Sequence, residues 1–91
     1  MLHIIKSVQA LSNAILVCDN GDDLLLIEDA VYAVNPKHHA HHLLKGHSCA
    51  VLASDLAARA MANRVSSQLA VVDYCGFVDL TIKHPQSLTW N

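Results

Sequence analysis

Short aliphatic runs alternate with amphipathic segments along this chain. Four of the runs, MLHIIK, DDLLLIED, CAVLA and QLAVVD, are largely apolar, which is typical of strands covered on both faces of a parallel sheet. The segment SLTW predicts a short fifth strand. Because helical patterns separate the strands, the chain predicts an α/β fold: one domain over residues 1–91, with helices on both faces of a small parallel sheet.

The first predicted helix has one apolar face, formed at spacings of three and four residues by Leu11, Ala14, Ile15 and Cys18. Ser7 is expected to cap this helix, because a serine side chain can accept a hydrogen bond from a free N–H group of the first turn. Cys18 would then lie in the last turn, where the helix dipole disfavours a thiolate.

The other helices are also predicted from their capping residues. Glu28 and Asp29 directly follow the second strand, where they could orient a partner or cap the helical turn AVYAV, and capping is expected. Ser54 is expected to cap DLAARAMAN, and Asp73 is expected to cap YCGFVDLTIK. This last helix must end by His84, because a residue before proline is disfavoured in the helical region.

Composition narrows the class of protein. Of the 91 residues, 53% are hydrophobic and 15% are charged, which excludes a disordered chain and predicts a surface that binds a partner or self-associates. The formal net charge of −2 is spread without runs of one sign and gives no electrostatic footprint for nucleic acid. The predicted strand ends carry no glycine-rich phosphate loop, so a nucleotide enzyme is not expected.

The expected location is the cytoplasm. No apolar run approaches the ~20 residues needed to cross a bilayer, and the first residues lack the features of a signal peptide. Three cysteines are too few for a disulfide framework, so reduced thiols are expected. No motif indicates a cofactor.

The histidine-rich segment KHHAHHLLKGHS is the most unusual feature of the composition. On a helix, His38 and His42 would lie one turn apart, a spacing that can bind a divalent metal, and His47 could add a third ligand. No acidic residue or cysteine lies between Lys37 and Gly46 to complete such a site, which favours a solvated loop. A small metal-binding module is the alternative.

The last helix raises the question of a reactive thiol at Cys75. Its first turn would favour a thiolate through the helix dipole. However, His84 lies nine residues further on, about 13 Å along a helix, too far to act as its base. We therefore expect Cys75 to be a packing residue, as we do Cys49 in the third strand.

Three segments, MLHIIKS, LLLIEDAVYA and VVDYCGFVDLTIKHPQSLTW, resemble the TusB/DsrH family of sulfur-relay proteins in order and spacing. The last segment is the most specific, from Asp73-Tyr74 through Lys83-His84-Pro85 to Trp90, whereas residues 35–50 match poorly. The resemblance implies a three-layer α/β/α sandwich whose parallel sheet has the strand order 4-3-2-1-5.

The resemblance also implies a function. It predicts a non-catalytic subunit that joins TusC- and TusD-like proteins in a heterohexamer, which passes persulfide sulfur for 2-thiolation of the tRNA wobble uridine. The sulfur-carrying cysteine would belong to a partner, and tRNA would be reached only through the relay. In the sulfur-oxidation branch, DsrH-type subunits carry a cysteine in the first helix, which makes Cys18 a candidate persulfide acceptor.

Trp90 is a candidate for contact with a partner. It lies one residue from the end of an otherwise aliphatic chain, where little of the chain's own surface is expected to cover it. Tryptophan is enriched among the residues that anchor protein interfaces. Docking and core packing are both open interpretations of this residue.

Overall fold

A computed structural model describes residues 1–67 and 69–91. In these two ranges, five strands alternate with three α-helices and two 3₁₀ helices. In chain order they are β1 (Leu2–Ile5), α1 (Val8–Ile15), β2 (Asp23–Leu26), a first 3₁₀ helix (Glu28–Val34), a second 3₁₀ helix (His41–Leu44), β3 (Ser48–Leu52), α2 (Ala53–Ala58), β4 (Ala70–Val72), α3 (Tyr74–Lys83) and β5 (Ser87–Trp90). The predicted fourth strand started at Gln68, which lies outside the described residues.

All four strand pairings are parallel, and the sheet order is β4-β3-β2-β1-β5. This confirms both the parallel sheet predicted from the apolar runs and the order implied by the resemblance. The three leucines of β2 are fully buried, as a strand in the middle of a doubly covered sheet requires.

The two faces of the sheet are covered unequally. The main core packs one face against α1, α2 and both 3₁₀ helices, and its strand residues include Ile5, Leu24 and Val51. The other face carries a smaller cluster around Leu25, against which Phe77 and further residues of α3 pack. Every residue of α3 is described and none is buried, so this helix keeps a broad exposed surface.

The predicted caps of the first and last helices are confirmed. The Ala10 N–H group donates to Ser7 Oγ at 3.0 Å, and the Gly76 N–H group donates to Asp73 Oδ1 at 2.9 Å. The predicted end of α1 is wrong, because the helix ends at Ile15. The next N–H groups donate to carbonyls three residues back, including Cys18 N to Ile15 O at 3.4 Å, so Cys18 lies in the following loop.

Two other predicted caps are wrong. Ser54 is the second residue of α2 and does not cap it, and no side chain bonds to this helix start. Glu28 and Asp29 are the first two residues of the first 3₁₀ helix. Its Glu28 N–H group donates instead to Asp55 Oδ2 at 2.7 Å, so a carboxylate from a distant segment satisfies this group.

Among the described residues, no helix is long and apolar enough to span a membrane.

Candidate functional site

Buried polar side chains meet at the amino-end edge of the sheet, where the chain enters β1, β2 and β3. The adjacent residues Asp22 and Asp23 each bind a histidine. Asp22 contacts His3 of β1 on the face of the main core, and Asp23 contacts His84 at the end of α3 on the other face. In parallel sheets, ligands usually bind at the opposite edge, outside the carboxyl ends of the strands, and no sequence pattern indicated that these four residues would meet.

His3 is 1% exposed and forms a hydrogen bond through each of its two ring nitrogens. Its Nε2 lies 2.9 Å from Asp22 Oδ2, and the Trp90 indole Nε1 lies 3.1 Å from its Nδ1. Asp22 also accepts hydrogen bonds from the N-terminal ammonium group at 2.9 Å and from the Asp19 N–H group at 3.1 Å. The bonds from the ammonium group, His3 and Asp19 hold the pKa of Asp22 well below its usual range, so this carboxylate is charged.

The indole of Trp90 fixes the tautomer of His3. An indole N–H group can only donate, so Nδ1 of His3 must accept, and Nε2 must carry the proton that it donates to Asp22. Within the described part of the chain, His3, Cys18 and Asp22 are the one set of three potential metal ligands whose atoms lie within 4.8 Å of one another.

This tautomer disfavours a metal ion at that group. A histidine that binds a metal normally donates a hydrogen bond from its other ring nitrogen. Here the other nitrogen of His3 accepts from Trp90, so ligation through Nε2 would require an imidazolate anion. The arrangement is therefore a hydrogen-bond network that joins β1, β5 and the loop before β2.

Cys18 lies beside this network, half-buried on the rim of a cleft of about 370 Å³ that also includes Asp19 and Lys83. Burial raises the pKa of its thiol, and the carboxylates of Asp22 and Asp19 raise it further. Because the thiolate is the nucleophilic form, these surroundings disfavour sulfur chemistry at Cys18 in the chain by itself.

Asp23 forms the second charged group, on the face covered by α3. Its Oδ2 atom accepts from His84 Nε2 at 2.7 Å and from Lys83 Nζ at 3.0 Å. Burial raises the pKa of Asp23, but hydrogen bonds from His84, Ser48 and Lys83 outweigh it and lower the pKa to about 2. The carboxylate thus binds the C-terminal end of α3 to the start of β2.

The other two thiols have different surroundings. Cys49 is packed within β3, and burial raises its pKa to about 12, with a smaller contribution from Asp23. Cys75 lies in the first turn of α3, as predicted, but its side chain is exposed, so the prediction that it is a packing residue is wrong. His84 contacts Asp23 and is buried at the far end of that helix, so it does not serve Cys75 as a base.

We expect the Cys75→Ser variant to change the free energy of unfolding by about 1 kcal/mol or less, because the site is exposed and hydroxyl residues suit helix starts. Urea denaturation of the purified chain measures this. Iodoacetamide labelling at neutral pH, followed by peptide mass spectrometry, should show slow modification of Cys75. A rate far above that of a free cysteine peptide would contradict the interpretation of Cys75 as an unreactive thiol.

The histidine-rich segment does not form the helix on which a metal site was considered. Residues 35–40 form turns, and a 3₁₀ helix of four residues follows. His38 Nδ1 accepts from the Ala40 N–H group at 3.1 Å, and His42 Nδ1 donates to the His39 carbonyl at 2.8 Å. No group of three ligands that includes His38, His42 or His47 lies within 4.8 Å in the described residues. A metal site on these histidines stays a prediction.

Trp90 has an intramolecular partner that the sequence did not indicate. It is half-buried, packs against the main core and donates its indole hydrogen to His3. Its ring centroid lies 6.1 Å from that of His3. Part of the indole is therefore used within the chain, and a role at an interface stays a prediction.

The carboxyl-end edge of the sheet carries ion pairs instead of a ligand cradle. Lys6 Nζ lies 3.3 Å from Glu28 Oε2, and Arg59 Nε lies 2.9 Å from Asp29 Oδ1. Arg59 also lies 3.8 Å from Asp55. These pairs are partly exposed to water, which weakens their attraction, so they neutralise charge more than they stabilise the fold.

Comparison with known proteins gives a consistent result over nearly the whole chain. A sequence profile described as DsrH like protein matches residues 6–87. Protein TusB of Pectobacterium parmentieri is 36% identical over 99% of this chain and 100% of its own length. Protein TusB of Enterobacter sp. (strain 638) is 38% identical over 78% of this chain and 77% of its own. Protein TusB of Escherichia coli (strain K12 / DH10B) is 36% identical over 77% of this chain and 76% of its own length.

Proposed function

Since this chain belongs to the DsrH-like family, a family of sulfur-relay proteins, we propose that it is a structural subunit of a complex for the 2-thiolation of the tRNA wobble uridine. TusC- and TusD-like proteins are its partners in a cytoplasmic heterohexamer. The sulfur-carrying cysteine belongs to a partner, and this subunit stabilises the complex in which that cysteine works.

The surroundings of the three cysteine thiols are the observation that supports a non-catalytic role for this chain. A persulfide acceptor must present a thiolate to its donor, and a cation or base nearby normally lowers its pKa. Cys18 and Cys49 have raised pKa values, and carboxylates contribute at both. Cys75 is exposed, and the histidine considered for it is bound elsewhere. These surroundings support a scaffold more than a carrier.

The outer surface of α3 supports membership in a complex. Tyr74, Val78 and Ile82 recur every four residues and so lie along one side of the helix. Tyr74 and Ile82 are 76% and 75% exposed, unusual values for large apolar side chains. A stripe of this kind is typical of a helix that packs against another protein.

A direct carrier role for Cys18 is the second candidate. Its thiol is half-buried at the rim of a cleft and lies near His3 and Asp22. In this role the thiolate of Cys18 would attack the outer sulfur of a donor persulfide, and the donor thiolate would leave as the sulfur–sulfur bond breaks. The raised pKa of Cys18 makes this candidate the weaker one.

The proposed function predicts that a strain lacking this protein loses 2-thiouridine at the wobble position, measured by mass spectrometry of tRNA nucleosides. The wild-type gene and the Cys18→Ser variant should restore the modification equally, because the scaffold role needs no thiol here. The matched control is Cys75→Ser, which removes a thiol from the other face of the sheet.

Two results would contradict the proposal in different ways. Unchanged 2-thiouridine in the deletion strain would exclude the tRNA pathway for this protein. Failure of Cys18→Ser alone, in a subunit that still assembles with its TusC- and TusD-like partners, would establish the carrier role in place of the scaffold.

A further inference from the structure

The positive charges of this chain fall into two classes. Of the six lysines and arginines, Lys6, Arg59 and Lys83 each lie within 4.0 Å of a carboxylate oxygen. The other three are Lys37, Lys45 and Arg64. Among the described residues, no carboxylate lies within that distance of them.

These three cations lie along one seam, which we define as residues 35–47 together with residues 63–66. The Ser66 N–H group donates to the Val34 carbonyl at 3.2 Å and so holds the second segment against the first. Lys37 and Arg64 line one cleft between the two segments. Lys45 lines a second cleft between them, together with three histidines: His41, His42 and His47.

The seam has no acidic residue. In the sequence, no aspartate or glutamate occurs from residue 30 to 54 or from residue 56 to 72, which includes the whole seam. A chain with a net charge of −2 thus has one surface where positive charge is uncompensated.

The seam also lacks the apolar centre of a typical protein interface. The large hydrophobic side chains that are exposed in the described residues lie outside it: Met1, Leu16, Val17, Tyr32, Val71, Tyr74, Ile82 and Leu88. Stable protein interfaces usually have aromatic or aliphatic anchors near their centre. Isolated cations beside amide side chains such as Asn35 and Asn63 are instead typical of contacts to phosphate oxygens.

We propose that this seam binds the phosphodiester backbone of RNA through Lys37, Lys45 and Arg64. The contacts involve phosphates and not base edges, so binding is independent of sequence and depends on salt. The choice of RNA among polyanions rests on the proposed function, in which tRNA is the final sulfur acceptor. This subunit would then hold tRNA near the relay directly.

Fluorescence anisotropy with unfractionated labelled tRNA and the purified full chain tests the proposal. Three phosphate contacts predict a roughly 20- to 40-fold loss of affinity between 50 and 200 mM salt, from a slope of about −0.7 to −0.9 per contact. In the Lys37→Gln/Arg64→Gln variant, one contact remains, and the same change of salt should lower affinity only about threefold.

The matched control is Lys6→Gln/Arg59→Gln, which removes the same charge outside the seam, at the carboxyl-end edge of the sheet. Its salt dependence should equal that of the wild type, and circular dichroism checks that both variants fold. Absence of tRNA binding at 50 mM salt, or equal losses in both variants, would overturn the proposal.

Polyglutamate distinguishes RNA from an acidic protein partner. Polyglutamate that competes as well as tRNA, at equal charge, would overturn the choice of RNA. This experiment measures tRNA binding by the purified chain, whereas the test of the proposed function measures 2-thiouridine in cells. The absence of tRNA binding would therefore not contradict the proposed function, and unchanged 2-thiouridine would not contradict a measured binding constant.

Discussion

Replacing Asp23 by alanine is expected to lower the free energy of unfolding by about 2–4 kcal/mol, the largest single effect predicted for this protein. The substitution removes the acceptor for His84, which is buried, and for Lys83. An unpaired buried imidazole loses its hydrogen bond without regaining contact with water. The C-terminal end of α3 would also lose its attachment to β2, and urea denaturation of the purified chain measures the combined cost.

The Asp23→Asn variant is the informative comparison, because its amide oxygen can still accept one hydrogen bond from His84. It should therefore lose less stability than Asp23→Ala. The control is Asp79→Ala, which removes an exposed carboxylate of α3 and should change the free energy of unfolding by about 0.5 kcal/mol or less. An Asp23→Ala variant as stable as the Asp79→Ala control would show that the buried contact contributes nothing.

The same contact predicts the acid sensitivity of the fold. The pKa of Asp23, about 2 in the folded chain, lies below the ordinary value of about 3.9 for an aspartate. The stabilisation is therefore complete above pH ~4 and is lost as the pH falls from about 4 to about 2. The difference in stability between wild type and Asp23→Ala should shrink over that interval.

Replacing Gly76 by alanine is expected to destabilise the fold by about 1–2 kcal/mol, although alanine is the better helix former by up to ~1 kcal/mol. A Cβ atom at position 76 would lie 2.8 Å from Val72 Cβ and 3.2 Å from its Cγ1. The nearest of these atoms is fixed to the backbone of β4, so the helix itself must move away from the sheet. This helix would then pack less closely against the sheet.

Cys75→Ala, one position away on the exposed side of the same turn, isolates the effect of helix propensity. This control should be neutral or slightly stabilising in urea denaturation. If Gly76→Ala gained stability as the control does, the close approach of α3 to β4 would have no energetic role, and helix propensity alone would decide the result.

The sequence determined the features of this protein that depend on neighbouring residues. Continuous apolar runs predicted the strands, because a strand covered on both faces needs apolar side chains at every position. Ser7 and Asp73 predicted two helix starts, because an N-cap bond spans only three residues. The proline after His84 predicted the end of α3. Motifs spread along the chain were enough to indicate the family.

Only the tertiary structure decided which polar side chains meet. Trp90 and His3 are 87 residues apart in the chain, and Asp23 and His84 are 61 apart. No local periodicity encodes such pairs, because they depend on which strands become neighbours and on which face each side chain lies. The cap of the first 3₁₀ helix was mispredicted for this reason, since its carboxylate comes from Asp55, 27 residues away. The distribution of charge was also decided by folding. The sequence shows no run of one sign, whereas in the described residues the fold pairs three cations with carboxylates and leaves the other three along one seam.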